Sequence, residues 1–377
     1  MKTHRLSLIT GAVVLALGLS TSVMANTTTS AIKGVVNGPQ GNAAIGTKVT
    51  ITHVPSGTTK NAIVNASGIF TAKGLRVGGP YKVTLDSDTF LDKEISDVFL
   101  TLGETMPLYV DLDAASDLET IVVTGRPVSS FSSNSSPSSH FTSDDLASAP
   151  AINRDLKDIV RVDPRVYVDD SRDGAIQCGG GSPRFNSLTL DGVRMNDGFG
   201  LNDNGYPTTR VPFSYDSIDQ VSVELAPFDV TYGSFTACNI NAVTKSGTNE
   251  IHGGVFMDYS NDSLKGDSIE GEDFIQGDFT EKRYGFHIGL PLINDELFLF
   301  TSYEKLDGNE IFVYNGDVSD ADIARVQKAS QDLYGYDAGG MPANMPVEDE
   351  KLLVKLDWNI SDDHRASFIY NYNDGFK

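Results

Sequence analysis

The chain has 377 residues, 51 of them acidic and 29 basic, for a formal charge of −22. A balance this acidic excludes nucleic acid as a partner, because phosphates are held by basic surfaces. The six histidines (His4, His53, His140, His252, His287 and His364) form no H-E-x-x-H or similar cluster, and neither a phosphate loop nor a G-x-S-x-G elbow occurs, so no enzyme, metal or cofactor is expected.

Lys2 and Arg5 precede a largely apolar run, Leu6 to Val23, and Val-Met-Ala follows. This reads as a secretory signal over residues 1–25, cut between Ala25 and Asn26. Removing Lys2 and Arg5 takes the mature chain from −22 to −24. No later segment approaches the roughly 20 apolar residues of a spanning helix. An exported chain that enters a membrane must then do so with strands.

Residues 30–113 alternate β-branched and polar residues between turns such as PSGT and NASG, which predicts a small β-sandwich. Asn65-Ala66-Ser67-Gly68-Ile69-Phe70 followed by GLRVGGPYKVTL resembles the carboxypeptidase regulatory-like domain, a transthyretin-like sandwich. Residues 114–125 contain Glu119-Thr120-Ile121-Val122-Val123-Thr124-Gly125, an apolar β-branched strand too short to be a domain. It reads as an exposed strand offered to another protein; the competing reading is the last strand of the sandwich. Residues 126–143 are serine-rich and read as a flexible linker, with a random-coil reach of about 23 Å and an extended reach of roughly 60 Å.

Residues 144–249 predict a mixed α/β domain. A helix capped by Ser143 and interrupted near Pro150 carries Leu146, Ile152, Leu156 and Ile159. SLTLDGVRMND reads as a hairpin about Asp191-Gly192. Cys178 and Cys238 form an even pair in an exported chain, which suggests a disulfide; two buried free thiols are the alternative. Asp169 to Gly174 has the look of a calcium loop, but Ser171 breaks the ligand series and Gly180 stands where a bidentate glutamate is needed.

From residue 250 the pattern changes. Tyr284, Phe286, Ile288 and Leu290 alternate with Arg283, Gly285, His287 and Gly289, and similar alternation recurs through KLLVKLDWNI and RASFIYNYN. GGVFMDYS and ELFLFTSYE fit less cleanly. Connections run long (about 261–282), short (292–296), long (about 307–350), short (361–364). That is the signature of an outer-membrane β-barrel, with long loops outside and short turns inside.

In this order the segments resemble a TonB-dependent outer-membrane receptor of the Oar-like branch, which carries an extra N-terminal domain. DLETIVVTG resembles the TonB box, with Glu119, Thr120, Ile121, Val122, Val123 and Thr124 as its residues. Arg184-Phe185-Asn186, Asp191-Gly192, Tyr232-Gly233, and Asn241, Thr244 and Lys245 within NAVTKSGTN resemble plug landmarks. The loop NDGFGLNDNGYPTTR resembles a plug apical loop, making Asn196, Asp197, Asn202, Asp203 and Arg210 candidates for ligand contact. The resemblance implies TonB as partner, outer-membrane lipid around the strands, and an extracellular ligand of unspecified chemistry. The fold expected is mainly β with a small α/β part: a transthyretin-like sandwich, a plug, and the first antiparallel strands of an incomplete barrel. The family's barrel has twenty-two strands and about five are legible, so the chain is expected to be the N-terminal part of a longer transporter or a truncated product. An adhesion or envelope-assembly protein anchored by the barrel is the alternative function.

Overall fold

A computed structural model describes residues 28–114, 122–124, 137–151, 153–172, 174–200, 202–208, 210–227, 233, 235–266, 268–273, 278–311, 319–340, 344–361 and 364–376. Ala25, Asn26, Glu119, Thr120, Ile121, Ile152 and Tyr232 lie outside them.

The first domain contains β1 (Ser30–Asn37), β2 (Lys48–His53), β3 (Thr58–Ile63), β4 (Ile69–Leu75), β5 (Gly78–Asp86), β6 (Lys93–Leu100) and β7 (Thr105–Asp111). A three-stranded sheet, β4-β1-β7, faces a larger one in which β3, β2, β5 and β6 follow in order. The alternating apolar residues meet between them: Ile32, Val36 and Phe70 from one sheet, Ile51, Val83 and Leu85 from the other, are buried in one cluster. This is the sandwich read from the sequence, with inward residues at period two. The next strand takes the position of the competing reading, at the edge of the sandwich. Val122–Thr124 (β8) is not free: it runs parallel to β6 as the outermost strand of the larger sheet, Val122 opposite Glu94 and Thr124 opposite Ser96.

The second domain holds β9 (Ser138–Phe141), α1 (Ser143–Ser148), α2 (Leu156–Val160), β10 (Val166–Asp169), β11 (Ala175–Cys178), β12 (Ser187–Leu190), β13 (Val193–Arg194), β14 (Ile218–Leu225) and β15 (Cys238–Thr244). Its sheet runs β13-β12-β15-β14-β9, and β10 and β11 form a separate hairpin. Two boundaries differ from expectation. Ser138–Phe141 is an edge strand rather than linker, because its backbone completes the free side of β14 and Phe141 enters the core. The helix is capped by Thr142, whose side chain exchanges hydrogen bonds with Asp145, and not by Ser143.

The third part is an antiparallel meander of β16 (His252–Asn261), β19 (Thr280–Ile293), β20 (Leu297–Ile311), β21 (Asn344–Ser361) and β22 (His364–Phe376), with the short pair β17 (Ser268–Ile269) and β18 (Glu272–Asp273) in the first loop. Its outward face is apolar: Val255 is 87% and Phe368 63% exposed, with Met257, Tyr284, Phe286, Tyr370 and Tyr372 beside them. The inward face carries buried Arg283, Glu304, Lys351, Lys355 and Asp357. An apolar outside and a polar inside is the membrane-barrel arrangement. Of the two strands that alternate poorly, β20 has a physical reason. Phe298 and Phe300 point inward and are fully buried, because the inside of β20 is covered by protein rather than water; Phe300 joins the core of the second domain. The second long loop is shorter than expected, since β20 runs on to Ile311 and β21 starts at Asn344. It contains α3 (Asp320–Tyr334), capped by Ser319 with Asp322 and ended by left-handed Gly335.

Candidate functional site

The second domain is wedged against the inward face of the meander. Arg154 lies over the Phe256 ring at 3.7 Å and also pairs with Asp216. Gly285 makes room for that ring: a Cβ there would fall 2.7 Å from Phe256. Ser214 Oγ donates to Glu304 at 2.7 Å, and Arg283 donates to the Asn153 carbonyl.

The tightest link is at the Asp-Gly turn. Asp191 (φ +49°) and Gly192 (φ +82°) both take the left-handed geometry of such a turn. Asp191 accepts the Thr244 N–H at 3.0 Å and the Thr244 hydroxyl at 2.6 Å. Lys355 on β21 donates to the Thr244 carbonyl at 2.9 Å and pairs with Asp191 at 3.6 Å. Three predicted landmarks thus meet here: Asp191, Gly192 and Thr244. Asn241 accepts the Thr189 hydroxyl one strand over. Lys245 lies close by, its pKa lowered chiefly by burial.

Arg184-Phe185-Asn186 serves the outer end. Asn186 is buried and donates to the Ile176 carbonyl, the Phe185 carbonyl accepts from Thr236 and Ala237, and Arg184 holds the Gly200 carbonyl. Gly233 is described, but none of these contacts involves it.

The candidate ligand residues divide into two groups. Asn196 uses its side chain on Leu188, Arg194 and the Asn186 carbonyl; Asp197 holds the Phe199 and Asn202 amides; Asn202 donates to the Tyr206 carbonyl. These three shape the loop. Asp203, facing Arg172, and Arg210, facing Glu281 at the outer end of β19, remain accessible. Sequence reasoning missed Phe199, which stands at the loop tip 91% exposed. The signal was an aromatic flanked by two glycines in an otherwise polar loop.

Cys178 and Cys238 are disulfide-bonded, joining the end of β11 to the start of β15.

At the opposite end the sandwich packs against both other parts. Leu102 N–H donates to Gln220 Oε1 at 2.9 Å and Gln220 Nε2 donates to the Leu100 carbonyl at 3.1 Å, while Val77, Leu102 and Val243 form a small apolar cluster. Replacing Gln220 by alanine would leave two buried backbone groups unpaired, at about 1–3 kcal/mol each. Expected is at least a tenfold rise in hydrogen exchange at the Leu102 amide, measured against β1 amides as an internal standard.

A cavity of 490 Å³ opens at this junction, lined among others by Asp191, Asp219, Lys245 and Lys355. Burial pushes Asp219 up to about 6, although Lys355 and Lys245 pull it down. Its folded pKa exceeds the ordinary carboxylate value, so the folded state keeps a proton that the unfolded chain has lost. Stability then falls as pH rises from about 4 to 6, and the penalty is complete at pH 7. Asp219→Asn is expected to flatten that slope and to stabilise at pH 7 by up to about 3 kcal/mol, read from denaturant unfolding at pH 5 and 7.

Comparisons with known proteins agree with this layout. Residues 31–113 match the carboxypeptidase regulatory-like domain, residues 130–238 the TonB-dependent receptor plug domain, and residues 243–315 an outer membrane β-barrel domain. The chain is similar to the TonB-dependent transporter Oar of Myxococcus xanthus, 24% identical over 95% of this chain and 35% of that protein. It thus spans about a third of that relative's length. Among solved structures it is similar to the outer membrane transporter YddB of Escherichia coli (16% identity, 63% of this chain, 33% of that chain, TM-score 0.46). It is also similar to the siderophore receptor PirA of Acinetobacter baumannii (20% identity, 63% of this chain, 31% of that chain, TM-score 0.43).

Proposed function

This chain belongs to the TonB-dependent receptors of the Gram-negative outer membrane, and we propose from that premise that it takes part in uptake of a scarce extracellular ligand, with its plug released by a pull on Glu119–Thr124. The observation that carries the reading is the position of two edge strands. Val122–Thr124 is the outermost strand of the sandwich sheet, held by a three-residue parallel pairing to β6. Next along the chain, β9 is the outermost strand of the plug sheet, held by four residues to β14. A partner that recruits the first strand by main-chain hydrogen bonds takes an extended segment already shaped for strand addition. Tension on it then arrives at an edge strand of the plug sheet. The outer membrane has no ATP to drive transport, so energy supplied mechanically by the inner-membrane TonB complex fits this arrangement. The three-residue pairing to β6 must break first.

The test is Val123→Pro, which removes a main-chain donor and interrupts the strand. Capture of the purified receptor by the periplasmic domain of TonB is expected to weaken about tenfold or more. Unchanged capture would sink the reading. A barrel-anchored adhesin would retain cell attachment in the same variant whatever became of that capture.

A further inference from the structure

Beside the large cavity lies a second one of 160 Å³, between the sandwich and the inner end of the barrel wall. The two share His53, Arg76 and Arg365. The smaller is also lined by Lys60, Lys73 and His364, and Asp357 lines the larger beside Arg76 and Arg365. Arg76, Arg365 and Lys73 still gather three permanent cations around one small cavity in a chain whose formal charge is −22.

Arg76 is the centre of this cluster. Its side chain is only 10% exposed. One terminal nitrogen donates to Asn359 Oδ1 at 3.3 Å, and the other is 3.8 Å from Asp357 Oδ2. Nε and Nη1 make no hydrogen bond among the described residues. The Ser367 hydroxyl donates to the other Asp357 oxygen, Oδ1, at 2.8 Å, while Oδ2 faces Arg76 without a hydrogen bond among the described residues. A buried guanidinium with unused donors carries a large desolvation cost. His53 does not add to the positive charge: burial first, then Arg76 and Arg365, hold its pKa down to about 3. Its ring packs on Tyr81 at 4.8 Å and its Nδ1 meets Ser56 Oγ at 2.7 Å, which fixes it as a neutral wall.

We propose that this junction is a binding site for a small, multiply charged oxyanion, phosphate or polycarboxylate, gripped between Arg76 and Arg365. Planar guanidinium donors suit two oxygens of one anion. A volume of 160 Å³ is below the roughly 300 Å³ at which pockets for whole drug-sized molecules begin, so the site takes an ion or one charged group. The occupant touches the sandwich through Arg76 and the barrel through Arg365, and so cancels a repulsion across the interface. The proposal does not depend on how the plug is opened.

The experiment is calorimetric titration of the full chain in detergent with sodium phosphate and, separately, citrate, at fixed ionic strength and without TonB. Saturable binding of either is expected, and the stronger of the two identifies the preferred oxyanion. Arg76→Gln and Arg365→Gln should each weaken it at least tenfold. Lys73→Gln, which leaves the Arg76–Asn359 contact intact, should weaken it several-fold, and Lys48→Gln, remote from both cavities, should not. Absence of saturable binding, equal losses in all four variants, or a loss confined to Arg76→Gln overturns the proposal.

Discussion

Replacing Cys178 and Cys238 by serine is expected to lower plug stability by about 4 kcal/mol and to lengthen the segment that a pull can draw out by about 60 residues. The first figure follows from closing a loop of sequence separation 60. The second follows from where the bond sits relative to the load. A pull arriving from the linker reaches β9 first, an edge strand, then α1, α2, β10 and β11. At Cys178 it meets the disulfide and passes directly to β15, which lies between β12 and β14 in the plug sheet. The 59 residues between the cysteines are bypassed. With the bond intact, about 40 residues can be extended, giving roughly 140 Å of slack. Without it the first extension should grow by roughly 200 Å. Single-molecule force–extension from the N-terminal side measures this. Equal contour lengths for the oxidised protein and the double serine variant would show that the bond does not lie on the load path.

How much of this was readable beforehand depends on which forces act locally. The sandwich was legible because its two sheets bury one face each, so Ile51, Val83 and Leu85 recur at period two. The barrel strands β19, β21 and β22 were legible for the same reason. Strand β20 was not, because Phe300 joins the plug core and Phe298 lies under Arg76 of the sandwich, and a covered lumen tolerates apolar side chains that a wet one would not. The landmarks Asp191 and Thr244 were found by resemblance, yet their partner Lys355 lies 111 residues beyond Thr244 in sequence and no local pattern joins them. The strand Val122–Thr124 was recognised as a strand, and its place at the edge of the sandwich was the competing reading, but nothing in the sequence chose between the two or named β6 as its neighbour. Edge pairing is made by backbone atoms, which every sequence possesses. The loop residues Asn196, Asp197 and Asn202 were candidates for ligand contact or for turns, because amide and carboxylate side chains serve equally well to bind a ligand or to fasten a turn. Phe199 needed the fold to place it at the tip.

Asp191→Ala is expected to be the most damaging single substitution in the plug, costing about 3–5 kcal/mol. Asp191 and Lys355 are both buried, with side-chain exposures of 5% and 7%. The Thr244 hydroxyl has one hydrogen and gives it to Asp191, so it receives Lys355 as an acceptor at 3.2 Å. Removing the carboxylate breaks both links and leaves the buried ammonium hydrogen-bonded only to the neutral Thr244 oxygens, with Asp219 and Asp357 acting on it through space. Removing both charges, as Asp191→Ala with Lys355→Met, should recover most of the loss, because an absent pair costs far less than a broken one. Hydrogen exchange at the β12 and β15 amides, compared between the single and double variants, reads the difference. Exchange that is equally fast in both would refute the pairing argument. The position of this latch also matters. Asp191 lies inside the loop closed by the disulfide, and Lys355 lies on the wall. The part of the plug that a pull bypasses therefore carries this latch, while the part before Cys178 has its own ties to the barrel through Arg154 on Phe256 and the Asn153 carbonyl on Arg283. A pull must break those ties before it reaches Cys178, and Asp191→Ala should lower the force needed to go further.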